Sequence, residues 1–456
     1  MNRLSRTLGL LALCAGIAGA ESIEERVKAL EEKLQAKEDS EGTPPEPGSP
    51  AAAGSNKIDL YFKNGLQAKS QDGNFELKIG GRLLVHYREY FTNSQRISID
   101  SFSIREAKID LKGKIWKDFG FRVEINGSGN SAFLIDDGFV SFERWSLLKL
   151  RIGQFKAPFS IEQTTSTLFI DMPERSPLDR LVPGYELGAM VYGELVPKIL
   201  EYNLMVANGT LKAVENNSDK DAYVRLQLRP FATMESDFLK GFHVAAGTNW
   251  GKRGLAKGVL PYTYSLPSTQ TTFVAGGARA AQVRFDEDRY RFDIELAWLA
   301  GPVGIKAEYL KTRDTYRFPG TTSTTGGRAG HTNHVAFFVT GSWFITGEDK
   351  NWDRPAVKKP LFGSGGGFGA VEIVGRYSRF NVPGDLFRDE ILSKVGSARH
   401  VDEMAACINW YPNSNVRLSV MYAYVEFNGD VVNPLVKSGK RFDHEDVLIV
   451  RAQIDF

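Results

Sequence analysis

Arginines fall on the polar side of one alternating run after another, and they are the residues here with the type and spacing to do chemistry. Arg82, Arg88, Arg122, Arg151, Arg225, Arg229 and Arg451 each sit on such a side. A guanidinium replaces water around an oxyanion through a planar fork of N–H donors, with no bond made or broken. Acids share those faces, notably Glu124, Asp293 and Glu295, so ion pairs that merely stay solvated are the alternative reading. Lys252, Arg253 and Lys257 lie in a long loop and could draw anions towards it. Catalytic and metal chemistry is poorly represented. His331 and His334 are three apart beside a strand with no third ligand, short of a zinc site. Asp136-Asp137 and Asp286 to Asp288 group carboxylates near turns, where calcium is conceivable and turn solvation is the plainer reading. A phosphate loop and a nucleophile elbow are both missing. The sequence argues for neither an enzyme nor a cofactor.

The elements that must position these arginines are strands. Past Ile58 polar and apolar residues alternate with a period of two up to Phe456. Leu77, Ile79, Leu83, Val85 and Tyr87 share one face against Lys78, Arg82, His86 and Arg88. Tyr290, Phe292, Ile294, Leu296 and Trp298 stand in the same way against Arg291, Asp293 and Glu295. Each run is about ten residues, what a tilted strand needs to cross a bilayer. Short turns such as Trp116 to Asp118, Gly301-Pro302 and Pro412 to Asn415 alternate with longer loops, except that Thr346 to Gly367 is long on the short-turn side. The pattern predicts an all-β chain, a transmembrane antiparallel barrel of about sixteen strands. Closure would pair every backbone group without leaving an edge, and a barrel this wide keeps an aqueous lumen where the charged face stays hydrated. Tyr87, Tyr90, Trp116, Trp298, Trp343, Trp410 and Tyr422 suit interfacial girdles.

Outside the barrel, residues 1–20 carry Arg3 and Arg6, an apolar stretch and Ala18-Gly19-Ala20, the pattern of a signal peptide. In residues 21–39, Ile23, Val27, Leu30 and Leu34 recur at heptad spacing, which predicts a short coiled-coil helix in the periplasm. Residues 40–57 form a Pro/Gly-rich linker and residues 58–456 the barrel. The balance of 57 basic against 55 acidic residues carries no nucleic-acid footprint. Only Cys407 remains after the leader, which excludes an internal disulfide. The expected location is the outer membrane, in contact with its lipid. The expected role is passive diffusion of small solutes. A secreted all-β binding protein is the alternative from another class.

The segment Leu148 to Arg175 (LKLRIGQFKAPFSIEQTTSTLFIDMPER) resembles the strand and pore-folded third loop of the polyphosphate- and phosphate-selective porin O and P family. The likeness continues through Ala297-Trp298, Ala307 to Leu310, Thr346-Gly347-Glu348, Gly375-Arg376-Tyr377, Asn409-Trp410-Tyr411 and the strand ending at Phe456. It implies a sixteen-stranded homotrimer whose third loop, here Gly153 to Tyr185, folds inward and narrows the pore. It implies phosphate or other oxyanions as solutes. Arg175 matches the family's constriction arginine, and Ser166 with Thr167 match its hydroxyl donors. Gln163 stands where phosphate-selective members carry a lysine, and Glu106 where a ladder arginine is expected. Those departures leave a non-selective porin of the same fold as the alternative.

Overall fold

The computed structural model describes residues 57–91, 98–128, 134–213, 215, 217–318, 329–362, 366–428, 435–437 and 440–456. The leader, the coiled coil and nearly all of the linker read from the sequence lie outside the described residues. A hairpin of β1 (Ile58–Phe62) and β2 (Leu66–Ser70) precedes β3 (Phe75–Tyr90), β4 (Ser101–Ile115), β5 (Phe119–Asn126), β6 (Leu134–Phe142) and β7 (Lys149–Lys156). Next come β8 (Tyr185–Val196), β9 (Leu200–Ala207), β10 (Asp221–Leu228), β11 (Phe242–Lys252), β12 (Asp288–Ala300) and β13 (Val303–Arg317). The chain finishes with β14 (Ala329–Phe344), β15 (Ala370–Asn381), β16 (His400–Asn413), β17 (Val416–Asn428), the small pair β18 (Leu435–Lys437) and β19 (Lys440–Phe442), and β20 (His444–Asp455).

Each strand from β3 to β17 pairs antiparallel with the next, β17 pairs with β20, and β20 returns to β3 in the register Val447↔Tyr90 to Asp455↔Arg82. The sheet of eighteen strands, less the two of the leading hairpin, is therefore a closed barrel of sixteen. β2 pairs with Glu76 to Lys78 and Ile79 of β3, the stretch that β20 does not reach, so the hairpin prolongs the wall at the turn end. At the seam Gly81 and Phe456 exchange both backbone hydrogen bonds at 3.0 Å. Gly80 is a required glycine there, because a Cβ on it would stand 2.7 Å from the Phe456 carbonyl oxygen.

Alternation sorts the side chains as a hydrocarbon exterior demands. On β12 Tyr290 and Ile294 are 44% and 46% exposed, whereas Arg289, Arg291, Asp293 and Glu295 between them point inward and are buried. Trp116, Trp343 and Tyr422 lie on the outside, as girdle residues should. Tyr90 does not: it shares the inward parity of His86 and Arg88, and its hydroxyl donates to the Thr269 carbonyl at 2.9 Å.

Much of the inward face is paired with protein rather than with water. Arg225 meets Glu295 at 2.6 Å and Arg376 meets Glu403 at 2.8 Å, all with little solvent contact. Three segments fold inward beside β12 to β17 and enclose an apolar core. Phe159 and Leu178 come from residues 157–184, Leu266 and Phe273 from 253–287, and Ile391 from 382–399; they pack on Phe338 and Phe380. Each such side chain contributes about 2 kcal/mol over leaving it in water. The spaces of the candidate site accordingly lie towards β3 to β10, on one side of the barrel.

Candidate functional site

The connection from β7 to β8, residues 157–184, is the third on the loop end, after those following β3 and β5. It begins with Ser160 at φ 67°, whose Oγ caps the short helix α1 (Ile161–Thr164). That hydroxyl donates to Glu308 at 2.9 Å and the Ile161 N–H donates to the same carboxylate at 3.1 Å, so the loop's start is tied to β13. Glu162 then accepts from both the N–H and the hydroxyl of Ser176, closing the loop on itself.

Inward arginines of the far wall hold the rest of the loop. Arg417 on β17 donates to the carbonyls of Ile170 and Asp171 at 2.8 and 2.9 Å. Arg376 on β15 donates to that of Glu174 at 2.8 Å. Arg451 on β20 donates to Thr167 and Pro173 carbonyls and to His86. Lys306 and Lys350 reach Asp171 at 3.0 and 2.7 Å. A peptide carbonyl buried without a donor costs about 1–3 kcal/mol, so these side chains are what lets a loop without strand partners cross the interior. Glu174 is gripped by Arg88 at 2.5 Å and Arg105 at 3.1 Å. Burial alone would raise its carboxyl, but Arg105, the His86 imidazole and Arg88 outweigh that and hold it well below the usual carboxylate range.

Two chambers meet at the loop. One, with about 930 Å³ of space, is bounded by Lys108, Asp110, Lys112, Phe169, Arg354 and Phe456 and lies towards the turns. The other, about 890 Å³, is bounded by Asp137, Phe139, Arg151, Lys156, Tyr185 and Arg225. Arg82, Arg122, Glu124 and Ser166 border both. A third space of about 800 Å³, beside the leading hairpin, adds Lys69 and Lys114, and Lys78, Lys112 and Arg122 border it as well.

Most cations at this junction carry acid partners. Arg82 binds Glu106 at 2.8 Å and Glu124 at 3.1 Å. Arg122 binds Asp110, Glu124 and Asp137 at 2.7, 2.9 and 2.8 Å. Asp136 meets Lys108 at 2.5 Å and also Lys212, so this acidic pair belongs to the β6 ion-pair network rather than to a solvated turn. Among the described residues no three metal-ligating side chains converge.

The residues singled out from the sequence fall into separate places. Ser166 is at the junction, 3.5 Å from Arg82 Nη1. Thr167 donates to Glu106 at 2.8 Å and so helps stabilise that carboxylate. Gln163 is buried, and its backbone carbonyl accepts from Lys156 Nζ at 2.7 Å, so the Lys156 side chain of β7 reaches this spot. Arg175 donates to the Glu162 carbonyl at 3.0 Å and lies 3.6 Å from Asp179, within its own loop. Arg225 is closed onto Glu295, Arg229 pairs with Glu201, and Arg451 is committed to the loop. Arg151 stands among the rings of Phe139, Tyr192 and Phe155, at 4.3, 4.9 and 5.3 Å. Arg253, read as a loop cation, is turned inward onto Asp314 at 2.6 Å. Lys108, Lys156, Arg376 and Arg417 were not anticipated; extending the inward parity along β4, β15 and β17 finds all but Lys156.

A closed sixteen-stranded barrel with an apolar outside, a charged inside and a loop tied across its interior defines an outer-membrane porin. The profile described as phosphate-selective porin O and P matches residues 77–456. The chain belongs to that family. Porin O of Pseudomonas aeruginosa is 23% identical over 434 residues, 88% of this chain and 92% of that one. The fold is shared with the outer membrane channel DcaP of Acinetobacter baumannii (TM-score 0.51, 11% identity, 85% of this chain and 99% of that chain). It is also shared with the anion-selective porin of Comamonas acidovorans (TM-score 0.50, 10% identity, 84% of this chain and 100% of that chain).

Proposed function

We propose that the protein conducts small anions passively across the outer membrane, with phosphate and related oxyanions preferred, and performs no catalysis. The observation that carries this reading is that Arg122 borders all three spaces, with Arg82, Lys108 and Lys112 lining one or more of them. A hydrated anion moving along this wall exchanges water for N–H donors at each step, and acids temper both Arg82 and Arg122 at the junction. Lys156 of β7 reaches the Gln163 carbonyl, and Glu106 is matched by Arg82, Lys108 and Thr167. Ser166 and Arg82 are the narrowing contacts; Thr167, Gln163 and Arg175 hold the loop in place. The homotrimer, the lipid contact, the signal peptide and the periplasmic coiled coil belong to the same reading. It is supported by the outward apolar residues of β4 and β5, with Phe102, Ile109 and Phe119 exposed by half or more.

The test is the reversal potential of the purified protein in a planar bilayer under a potassium chloride gradient, with phosphate added to one side. Anion preference and reduction of chloride current by phosphate are expected; cation preference would refute the reading. A general diffusion porin is the second reading, favoured by the pairing of Arg82, Arg122 and Arg225 with carboxylates. It would give a permeability ratio near unity.

A further inference from the structure

The chamber on the loop side of the junction has a wall that inorganic phosphate cannot use. Phe139, Pro158, Tyr185 and Met190 border it together with Arg151 and Lys156. Arg82, Arg122, Arg225 and Arg229 each meet a carboxylate, and Arg451 meets loop carbonyls. Arg151 has no such partner among the described residues. Its one polar contact is the Tyr192 hydroxyl at 3.4 Å, and its Nε has no partner. What holds it is stacking: Phe139, Tyr192 and Phe155 surround the guanidinium. Stacked in this way, a guanidinium keeps its charge and its planar edge of N–H donors for a ligand oxyanion.

We propose that this chamber is a binding site for organic anions with a planar apolar body, such as aryl phosphates and aryl carboxylates. Arg151 contacts the anionic head, while Phe139 and Tyr185 face the ring. The proposal rests on the anion passage above and adds the class of solute that the passage holds longest. A fully hydrated anion gains only the charge term at Arg151. One that carries a ring also removes apolar surface from water against Phe139 and Tyr185, which are both half-buried and so still reachable. Of the acids nearby, Asp137 and Glu124 are taken by Arg122, and Glu143 accepts from the Tyr192 hydroxyl at 3.1 Å and from Ser141 at 2.8 Å.

The experiment is titration of the chloride current of the full-length protein in planar bilayers with phosphate, phenyl phosphate, acetate and benzoate. Phenyl phosphate is expected to halve the current at about one tenth of the phosphate concentration, and benzoate likewise against acetate. Phe139→Ala should bring both ratios close to one. Arg151→Gln should weaken all four blockers. A wild type that prefers anions but is blocked equally by the aryl and the plain anion overturns this proposal and leaves the anion passage standing. A wild type without anion preference overturns both. Because the wild-type ratios decide by themselves, the proposal stays testable even if a variant fails to assemble.

Discussion

Arg82 Nη1 lies 3.5 Å from Ser166 Oγ, and through this pair the wall at β3 meets the loop that crosses the interior. Next to it Arg122 balances Asp110, Glu124 and Asp137. Arg122→Ala removes one cation from beside Asp110 and Asp137 and leaves Glu124 to Arg82 and Lys108. The anion-to-cation permeability ratio should fall about fivefold or more, since a charge facing a narrow, partly desolvated passage acts at lower effective dielectric than one in bulk water. Reversal potentials of wild type and variant in one salt gradient measure it; equal ratios would mean that Arg122 is no part of the filter.

Arg417 is almost fully buried and commits its guanidinium to the loop carbonyls and to Asn409. Arg417→Ala orphans those carbonyls, a cost of about 3 kcal/mol by the usual penalty for unmade buried bonds. The urea midpoint of the folded barrel should drop. Single-channel current should become larger and noisier as the loop leaves its seat. A variant with lower stability but wild-type conductance would separate the clamp from the narrowing of the pore.

The walls were legible in the sequence because one force writes them: hydrocarbon outside and polar groups inside make every second residue apolar, as in Tyr290 to Trp298. Closure came with them, because no strand edge survives in lipid. The partners of the arginines were not legible. Parity puts Arg151, Arg225 and Arg451 on one face, but their fates differ: rings, a carboxylate, and backbone carbonyls. A carbonyl has no sequence signature, so the clamp formed by Arg376, Arg417 and Arg451 left no trace to read. Residues 253–287 have no period of two, and their inward fold onto Phe338 and Phe380 emerges only from packing. The hydration expected of the whole inner face gave way on that side to paired charges and an apolar core.

Glu174 makes the loop sensitive to acid in a defined direction. Its depressed carboxyl contributes stability that is complete above the unfolded value of about 4.3 and is lost as pH falls through the lower folded value. Glu162 works the other way: burial outweighs Arg376 and Ser176 and pushes its carboxyl up, so its ionisation costs stability as pH rises. Channel conductance held by Glu174 should therefore be flat from pH 7 to about 5 and change only on stronger acidification. Recording single channels across this range in wild type, Glu174→Gln and Glu162→Gln decides it. A transition between pH 7 and 5 that survives Glu162→Gln but disappears in Glu174→Gln is the result that contradicts the assignment.

The seam between β3 and β20 offers a comparison of two glycines in the same fold. At Gly80 an added Cβ would meet the Phe456 carbonyl oxygen at 2.7 Å, whereas at Gly341 on β14 nothing lies within 4 Å. Backbone on both sides of the seam is fixed by the paired bonds of Gly81 and Phe456, so the clash cannot be relieved by turning a side chain. Gly80→Ala should cost about 1–3 kcal/mol, the usual penalty of overpacking, and should slow closure of the barrel. Gly341→Ala should be neutral or stabilising by up to about 1 kcal/mol, because alanine loses less chain entropy in a strand than glycine. Urea titrations and refolding rates into detergent micelles compare the two. If the variants lose equal stability, the tight approach at Phe456 is not what closes the barrel.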